Sequence, residues 1–288
     1  PGVSLMSEIL GYASFSEVPM VLFDVQRSGP STGLPTRTQQ SDLIAAAYAS
    51  HGDTRHALLF PADPEECFEQ AIAAFDAAER LQTPVIVLSD LDIGMNDWMI
   101  PALKWDESYM PDRGKVLDAD ALEKIAKFER YADPDGDGIP YRSLPGVHPK
   151  GGFFTRGSGH NEAAQYTEDG AAYVRLMNRL KRKLDDAPRY LPAPVLQAAA
   201  TPTSTGVIAY GSSHEAVREA LAMLCEDGRA IDYLRVRSFP FGRDVQQFLD
   251  AHEQIFVVEQ NRDGQMRTLM LNELDVEKAK LVPVLHFD

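Results

Sequence analysis

The sequence predicts an α/β protein with two parallel-sheet domains joined by a long irregular connection. In residues 1–95, and again from 200 to 288, short apolar β-branched runs alternate with segments of helical periodicity at the spacing of β-α-β units. Between them, over 96–199, the alternation stops and Pro, Gly and Asp become frequent. A stretch of that length without regular alternation belongs at an interface or a functional surface, not inside one compact domain.

In chain order, the opening segment reads as a buried helix and Met20–Val25 as a short apolar strand. A Gly/Pro/Ser/Thr loop follows, then a helix over about Arg37–Ala49 and a strand over Ala57–Phe60. The next helix has a clear start signal: Asp63 as N-cap, Pro64 at the first helical position and Glu66 completing a capping box. Phe68, Ile72 and Phe75 recur on one side and predict its buried face. Val85–Leu88 suits a strand of a parallel sheet covered on both faces. The connection carries helices at Ala119–Phe128 and Glu168–Leu184. In the last third Val207–Tyr210, Ile231–Val236 and Gln254–Val258 are strands, with helices after Ser212, Gly242 and Gly264. Ser212 with Glu215 gives the first of these a capping box, and Val217, Leu221 and Leu224 its apolar stripe.

Composition narrows the function. The 288 residues carry 28 Lys and Arg against 43 Asp and Glu, a net charge of −15 that repels a phosphate backbone. The one dense basic run, Arg179, Lys181, Arg182 and Lys183, closes a helix that begins at Glu168 and Asp169, and reads as a solvated helix end that complements the helix dipole. No apolar run approaches the roughly 20 residues of a membrane span, and no signal-peptide pattern opens the sequence, so the expected compartment is the cytoplasm. Cys67 and Cys225 lie far apart and predict neither a disulfide framework nor an iron–sulfur cluster held by this chain alone.

The most informative stretch is Asp24-Val-Gln-Arg27-Ser-Gly-Pro-Ser31-Thr32-Gly-Leu-Pro-Thr36-Arg37. It leaves the C-terminal end of a strand, where open α/β sheets place their ligands. Arg27 offers a planar fork of donors suited to a carboxylate, and Ser31, Thr32 and Thr36 add hydroxyls. A small anionic substrate fits that set; the alternative is a rigid turn with solvent-facing hydroxyls. The same residues contain Gly29-Pro-Ser31-Thr-Gly33, which formally matches the nucleophile elbow of serine hydrolases, with Asp90 or Asp92 and then His148, His160 or His286 in suitable order. Against a hydrolase, Pro35 and more loop intervene before any helix. Asp133-Pro-Asp-Gly-Asp-Gly138 imitates half a calcium loop, but Leu144 stands where a bidentate glutamate should close it, so an acidic turn is expected and no metal. Gly157-Ser-Gly-His160-Asn-Glu162 has acid–base residue types without a second histidine at ligand spacing. His51-Gly-Asp53 reads equally as structural or functional.

The stretch from Asp24 to Arg37 resembles the hallmark of alpha subunits of 2-oxoacid:ferredoxin oxidoreductases. Gln82-Thr-Pro-Val-Ile-Val-Leu-Ser-Asp90, Phe128-Glu-Arg-Tyr131 and Val258-Glu-Gln-Asn261 with Gly264-Gln265 match the family in order, and the opening Pro-Gly-Val-Ser-Leu-Met-Ser-Glu8 resembles the segment after its Thr-Ser-Gly-Pro-Gly turn. The resemblance covers essentially the whole chain. It implies that residues 1–95 are part of a pyrimidine-type thiamine-diphosphate domain and 200–288 a transketolase C-terminal-like domain. It implies an oxidative decarboxylation of a 2-oxoacid with coenzyme A that reduces ferredoxin, with 2-oxoglutarate expected ahead of pyruvate or branched-chain oxoacids. Thiamine diphosphate and magnesium would be shared with or held by a beta subunit that also carries the iron–sulfur cluster. Arg27 would pair with the substrate carboxylate, Thr36 would hydrogen-bond its carboxylate or oxo oxygen, and Ser31 and Thr32 are further loop contacts. The family's activating glutamate would precede Pro1, so the expectation is an N-terminally truncated fragment with no catalytic residue of its own, inactive alone. A paralogue that binds the beta subunit without chemistry is a third reading.

Overall fold

The computed structural model describes residues 2–287. Helix α1 (Gly2–Ser16) leads into β1 (Met20–Gln26), and a long loop reaches the short helix α2 (Leu43–Ala47). Then come β2 (Ala57–Leu59), α3 (Pro64–Leu81), β3 (Pro84–Asp90) and α4 (Leu91–Met95). The connection holds α5 (Ala119–Lys124) and α6 (Gly170–Asp185). The last third runs β4 (Val195–Gln197), β5 (Thr205–Tyr210), α7 (Ser213–Glu226), β6 (Asp232–Val236), β7 (Ser238–Phe239), α8 (Arg243–Ala251), β8 (Gln254–Glu259), α9 (Gln265–Glu273) and β9 (Leu281–Leu285).

The fold is α/β with two mostly parallel sheets. The first has the order β1-β3-β2-β7, parallel except for β7; the second is β4-β6-β5-β8-β9, parallel except for β4. The sheets are not independent. Strand β7 comes from the last third yet pairs with β2 of the first sheet, Leu58 opposite Phe239. One apolar core runs through both, from Leu58 and Ile86 to Ile208, Leu234 and Ile255. Burying large aliphatic side chains of this kind stabilises by about 1.5–3 kcal/mol each, so the two units support one another.

Several local expectations are corrected. Helix α1 is not buried all round: Leu10, Ala13 and Ser16 face inward while Leu5 and Tyr12 stay exposed. The predicted helix from Arg37 shrinks to α2, because residues 40–42 are drawn out by backbone bonds to Gln260 O and Gln26 Oε1. In α3 the buried face is Gln70, Ala74, Ala77, Ala78 and Leu81, while Phe75 is exposed and Phe68 packs edge-on against Trp105 of the connection. Small alanines let the helix lie close on the sheet, and the larger rings are left to hold the connecting arm. Asp63 does cap α3, accepting from Glu66 N at 2.8 Å. The Glu66 carboxylate, however, takes Ala62 N and a two-pronged bond from Arg235 at 2.6 and 2.7 Å, tying α3 to β6. Helix α5 stops at Lys124, where Ile125 turns extended.

The basic run is only half solvated. Lys181 and Arg182 reach the acids Asp185 and Asp133 at the surface, but Arg179 and Lys183 turn inward onto Glu17. Glu17, Arg130, Arg179 and Lys183 are all buried; the Glu17 carboxylate pairs with Arg179 and Lys183, while Arg130 donates to its backbone carbonyl. Burial pushes the Glu17 carboxyl up, yet Lys183 and Arg179 outweigh it and hold it at about 2. Burial also brings the Lys183 ammonium down to about 8, since its share of one carboxylate does not offset the lost hydration.

Candidate functional site

The loop after β1 is a folded-back structure with two differently anchored roots. At the first root, buried Gln26 ends β1, donates to Ser89 O of β3 at 3.3 Å and accepts Asp42 N at 3.1 Å. The loop closes on itself through Ser28 N to Arg37 O at 2.9 Å, Arg37 N to Leu34 O at 3.2 Å and Gly29 N to Gln39 Oε1 at 3.2 Å. Arg27 and Thr36 each immediately precede one partner of the Ser28–Arg37 bond, so both lie on the loop stem. Gly33 sits at φ 47°, and a Cβ there would stand 2.2 Å from Ser28 O, so the turn demands glycine. Ser31, Thr32 and Thr36 are exposed, and the half-buried Arg27 donates a guanidinium N–H to Thr32 O.

At the second root the chain enters a polar network that sequence reasoning missed. Buried Gln40 donates to Tyr210 O at 2.9 Å and accepts from Ser213 Oγ and from Gln260 N, both at 3.1 Å. Its carbonyl accepts from Asn261 Nδ2 at 3.0 Å. Beside it, Ser212 does not cap α7 with its side chain; it donates to Asp90 Oδ2 at 2.6 Å, across from the end of one sheet to the end of the other. Gln260 Nε2 donates to Ser212 Oγ at 2.9 Å and completes the chain. Glu259, fully buried, accepts from Asn261 Nδ2 and from Met266 N and Arg267 N at the start of α9. Of this set, Glu259, Gln260 and Asn261 enter the sequence reading only through the resemblance, Asp90 also as a candidate triad acid and Ser212 as a helix cap; Gln40 has no role in it.

Burial raises the carboxyls at this junction. Burial, with Asp42 adding, pushes the Asp24 carboxyl up to about 7, and its Oδ2 lacks a partner among the described residues. Burial raises Asp42 against the pull of Arg27, and raises Asp90 and Glu259 against their hydrogen bonds. Of these acids, Asp42 is the one that feels the Arg27 guanidinium, which itself donates to Thr32 O.

Other expected groups do not form sites. Ser31 is followed by loop as far as Asp42, and α2 begins only at Leu43, so no strand-to-helix elbow exists. His148 bonds Lys150 N and Glu123, and His160 is buried against Tyr131 and Phe15, its Nδ1 3.0 Å from Ser158 O. Glu162 pairs with Arg175. In the Asp133–Gly138 turn the Lys115 ammonium bonds Asp135, Asp137 and Ile139 O, taking the position a cation would need. No group of three or more His, Cys, Asp or Glu that could hold a metal occurs among the described residues. His51 and Asp53 line a groove of about 1040 Å³ with Glu8, Tyr12, Tyr48 and Arg55, but neither Arg27 nor Thr36 contributes to it. The loop at the strand ends is where open α/β sheets place their ligands, and it is the stronger ground for a site.

Residues 1–132 match the family model described as pyruvate flavodoxin/ferredoxin oxidoreductase, thiamine diP-binding. The alpha subunit of 2-oxoacid:ferredoxin oxidoreductase 2 from Aeropyrum pernix is 34% identical over 275 residues, 94% of this chain and 42% of that protein. The 2-oxoglutarate synthase subunit KorA of Methanothermobacter marburgensis is 32% identical over 277 residues, 92% of this chain and 68% of that one. Among solved structures, the 2-oxoglutarate:ferredoxin oxidoreductase from Magnetococcus marinus, with 2-oxoglutarate, coenzyme A and succinyl-CoA bound, superposes with a TM-score of 0.91 at 29% identity, covering 100% of this chain and 49% of that one. The chain thus spans less than half the length of the Aeropyrum relative and of the solved chain. With relatives of this identity along nearly its whole length, the chain belongs to the alpha-subunit family of the 2-oxoacid:ferredoxin oxidoreductases.

Proposed function

We propose that the chain acts as the alpha-subunit part of an enzyme that oxidatively decarboxylates 2-oxoglutarate to succinyl-CoA while reducing ferredoxin. The observation that carries this reading is the end-to-end likeness to a solved enzyme whose bound molecules are 2-oxoglutarate, coenzyme A and succinyl-CoA. In this reading residues 1–95 belong to a thiamine-diphosphate domain, 200–288 to a transketolase C-terminal-like domain, and 96–199 connect them.

Arg27 pairs with a substrate carboxylate through its guanidinium fork, leaving Thr32 O to do so, and Thr36 donates its hydroxyl from the same loop stem. Ser31 and Thr32 lie on the same exposed rim. These residues bind and orient. Neither Arg27 nor Thr36 has a nucleophile–base geometry, and no catalytic role is assigned to them. Thiamine diphosphate, when bound, supplies the carbanion chemistry. The donor set here fits only a share of that cofactor: hydroxyls and one guanidinium stand at the strand ends, with no acidic metal cluster among the described residues. In this reading thiamine diphosphate and magnesium are shared with or held by a beta subunit that also carries the iron–sulfur cluster, and ferredoxin and coenzyme A are the further partners. No helix among the described residues is long and apolar enough to cross a membrane.

The test is reduction of ferredoxin, or of a dye in its place, by the chain expressed as its gene encodes it together with the beta subunit. Thiamine diphosphate, magnesium and coenzyme A are supplied, and a panel of 2-oxoacids is compared. Strongest turnover with 2-oxoglutarate is expected. A preference for pyruvate or a branched-chain oxoacid corrects the substrate, and no turnover by an intact, cofactor-loaded complex overturns the enzyme reading.

A further inference from the structure

The candidate oxoacid loop enters from one sheet and leaves into the other. Arg27 follows directly on β1, whose end is held to β3 by the Gln26 to Ser89 bond. The other limb of the loop ends in two consecutive glutamines with opposite duties. Gln39 turns back into the loop and accepts Gly29 N at 3.2 Å. Gln40 turns into the second sheet, and every polar group it has is engaged there. Its backbone N–H donates to Gln260 O at 2.8 Å, and its carbonyl accepts from Asn261 Nδ2 and from Tyr210 OH. Its side-chain oxygen accepts from Ser213 Oγ and Gln260 N, and its amide donates to Tyr210 O. Gln40 is 1% exposed. Of the following residues, Ser41 and Ile44 are held to the same sheet's end, since Gln265 donates to Ser41 O at 2.6 Å and accepts Ile44 N at 3.0 Å, while Asp42 N returns to Gln26 Oε1 of β1 at 3.1 Å. Gly211, at φ 57°, leaves room for this amide: a Cβ there would stand 2.8 Å from Gln40 Nε2.

We propose that Gln40 is the positioning residue through which the C-terminal sheet sets the distance between Arg27 and Thr36. Resting on the oxoacid reading of the loop, this deepens it. The Arg27 limb is fixed to the first sheet, the Thr36 limb is fixed through Gln40 to the second, and the junction between the sheets becomes part of the binding geometry. A buried amide with three side-chain bonds can do this because leaving any of its partners unsatisfied is costly, so the anchor has one stable arrangement. Gln40 touches no substrate in this arrangement; it acts through the stem bonds of Ser28, Gly29 and Arg37.

The experiment compares wild type with Gln40→Leu, Gln40→Glu and Gly211→Ala in the complex with the beta subunit. Two quantities are read: hydrogen exchange of residues 28–39, with strands β5 and β8 as internal reference, and KM for 2-oxoglutarate and for coenzyme A. Gln40→Leu should speed exchange of the loop and raise KM for the oxoacid about tenfold or more, the equivalent of losing one well-satisfied buried hydrogen-bonding group. KM for coenzyme A and exchange in β5 and β8 should hold. Gly211→Ala, which crowds the same amide from outside, should act in the same direction. Gln40→Glu, which keeps the two accepted bonds and loses the donated one, should lie between. Unchanged loop exchange in folded Gln40→Leu, or equal rises in both KM values, overturns the proposal. If wild type turns over no 2-oxoacid, the functional reading has failed instead, and the exchange measurement still decides whether Gln40 governs the loop.

Discussion

Replacing Glu17 by Gln should expose how the connecting region is held to the first sheet. Glu17 accepts from Arg179 Nη1 at 3.0 Å and from Lys183 Nζ at 2.8 Å, with a second, shorter bond from Arg179 Nη2. Its side chain is fully buried, and those of Arg179 and Lys183 are 6% and 1% exposed, so water cannot replace the lost charge. Arg130 bonds the backbone carbonyl of Glu17 at 2.9 Å and keeps that contact in the mutant. Removing one partner of a buried ion pair costs about 3–5 kcal/mol because the other is left uncompensated, a large part of a typical total of about 5–15 kcal/mol. The pH dependence gives a second check. Glu17 titrates at about 2 in the fold against an ordinary 4.5. The wild-type advantage is therefore complete above 4.5 and shrinks as pH falls toward 2, a span worth about 3 kcal/mol at roughly 1.4 kcal/mol per unit. On the alkaline side the mutant's Lys183 should lose its proton below the wild-type value of about 8, so the gap also narrows as pH approaches 8. Urea unfolding of both proteins from pH 3 to 9 measures this directly. A deficit below about 1 kcal/mol at pH 6, or one independent of pH, would refute the reasoning.

Three further outcomes follow from other contacts. Glu66→Gln leaves Arg235 and Arg237 facing an amide between α3 and β6, and should lower stability by about 3 kcal/mol in urea unfolding. Burial raises Glu66 but Arg235 outweighs it and holds the carboxyl below 4.5, so this contribution is present above that pH and fades as pH falls through the folded value. Asp63→Ala removes the side-chain bond to Glu66 N and should cost about 1 kcal/mol, read as a shift of the urea midpoint without change of slope. Millimolar calcium should leave the melting temperature unchanged, because the Lys115 ammonium already sits among Asp135, Asp137 and Ile139 O.

Much of the fold was legible because it rests on local signals. The strands at Met20, Val85 and Val207 and the Asp63-Pro64 helix start are written in consecutive residues. What escaped prediction depends on distant pairing. Strand β7 is two residues long, and it exists because Ser238 and Phe239 meet Leu59 and Leu58. Strand β9 contains Pro283, which argues against a central strand and is tolerated because β9 is a sheet edge. The basic run at Arg179 looked solvated because its partner, Glu17, lies 162 residues away in the sequence. For the site, the loop from Arg27 to Thr36 was readable from its composition and from the strand before it. Its anchor was not: Gln40 and Gln260 lie 220 residues apart, and neither residue type announces a hub.

The central claim is that Arg27 holds the oxoacid carboxylate. Its most direct test is kcat/KM for 2-oxoglutarate in the complex carrying Arg27→Ala, beside wild type, with folding checked by hydrogen exchange. The charged pair predicts a fall of about thirtyfold or more, the equivalent of at least about 2 kcal/mol, with KM for coenzyme A unchanged. A folded Arg27→Ala complex whose kcat/KM stays within about twofold of wild type would contradict it.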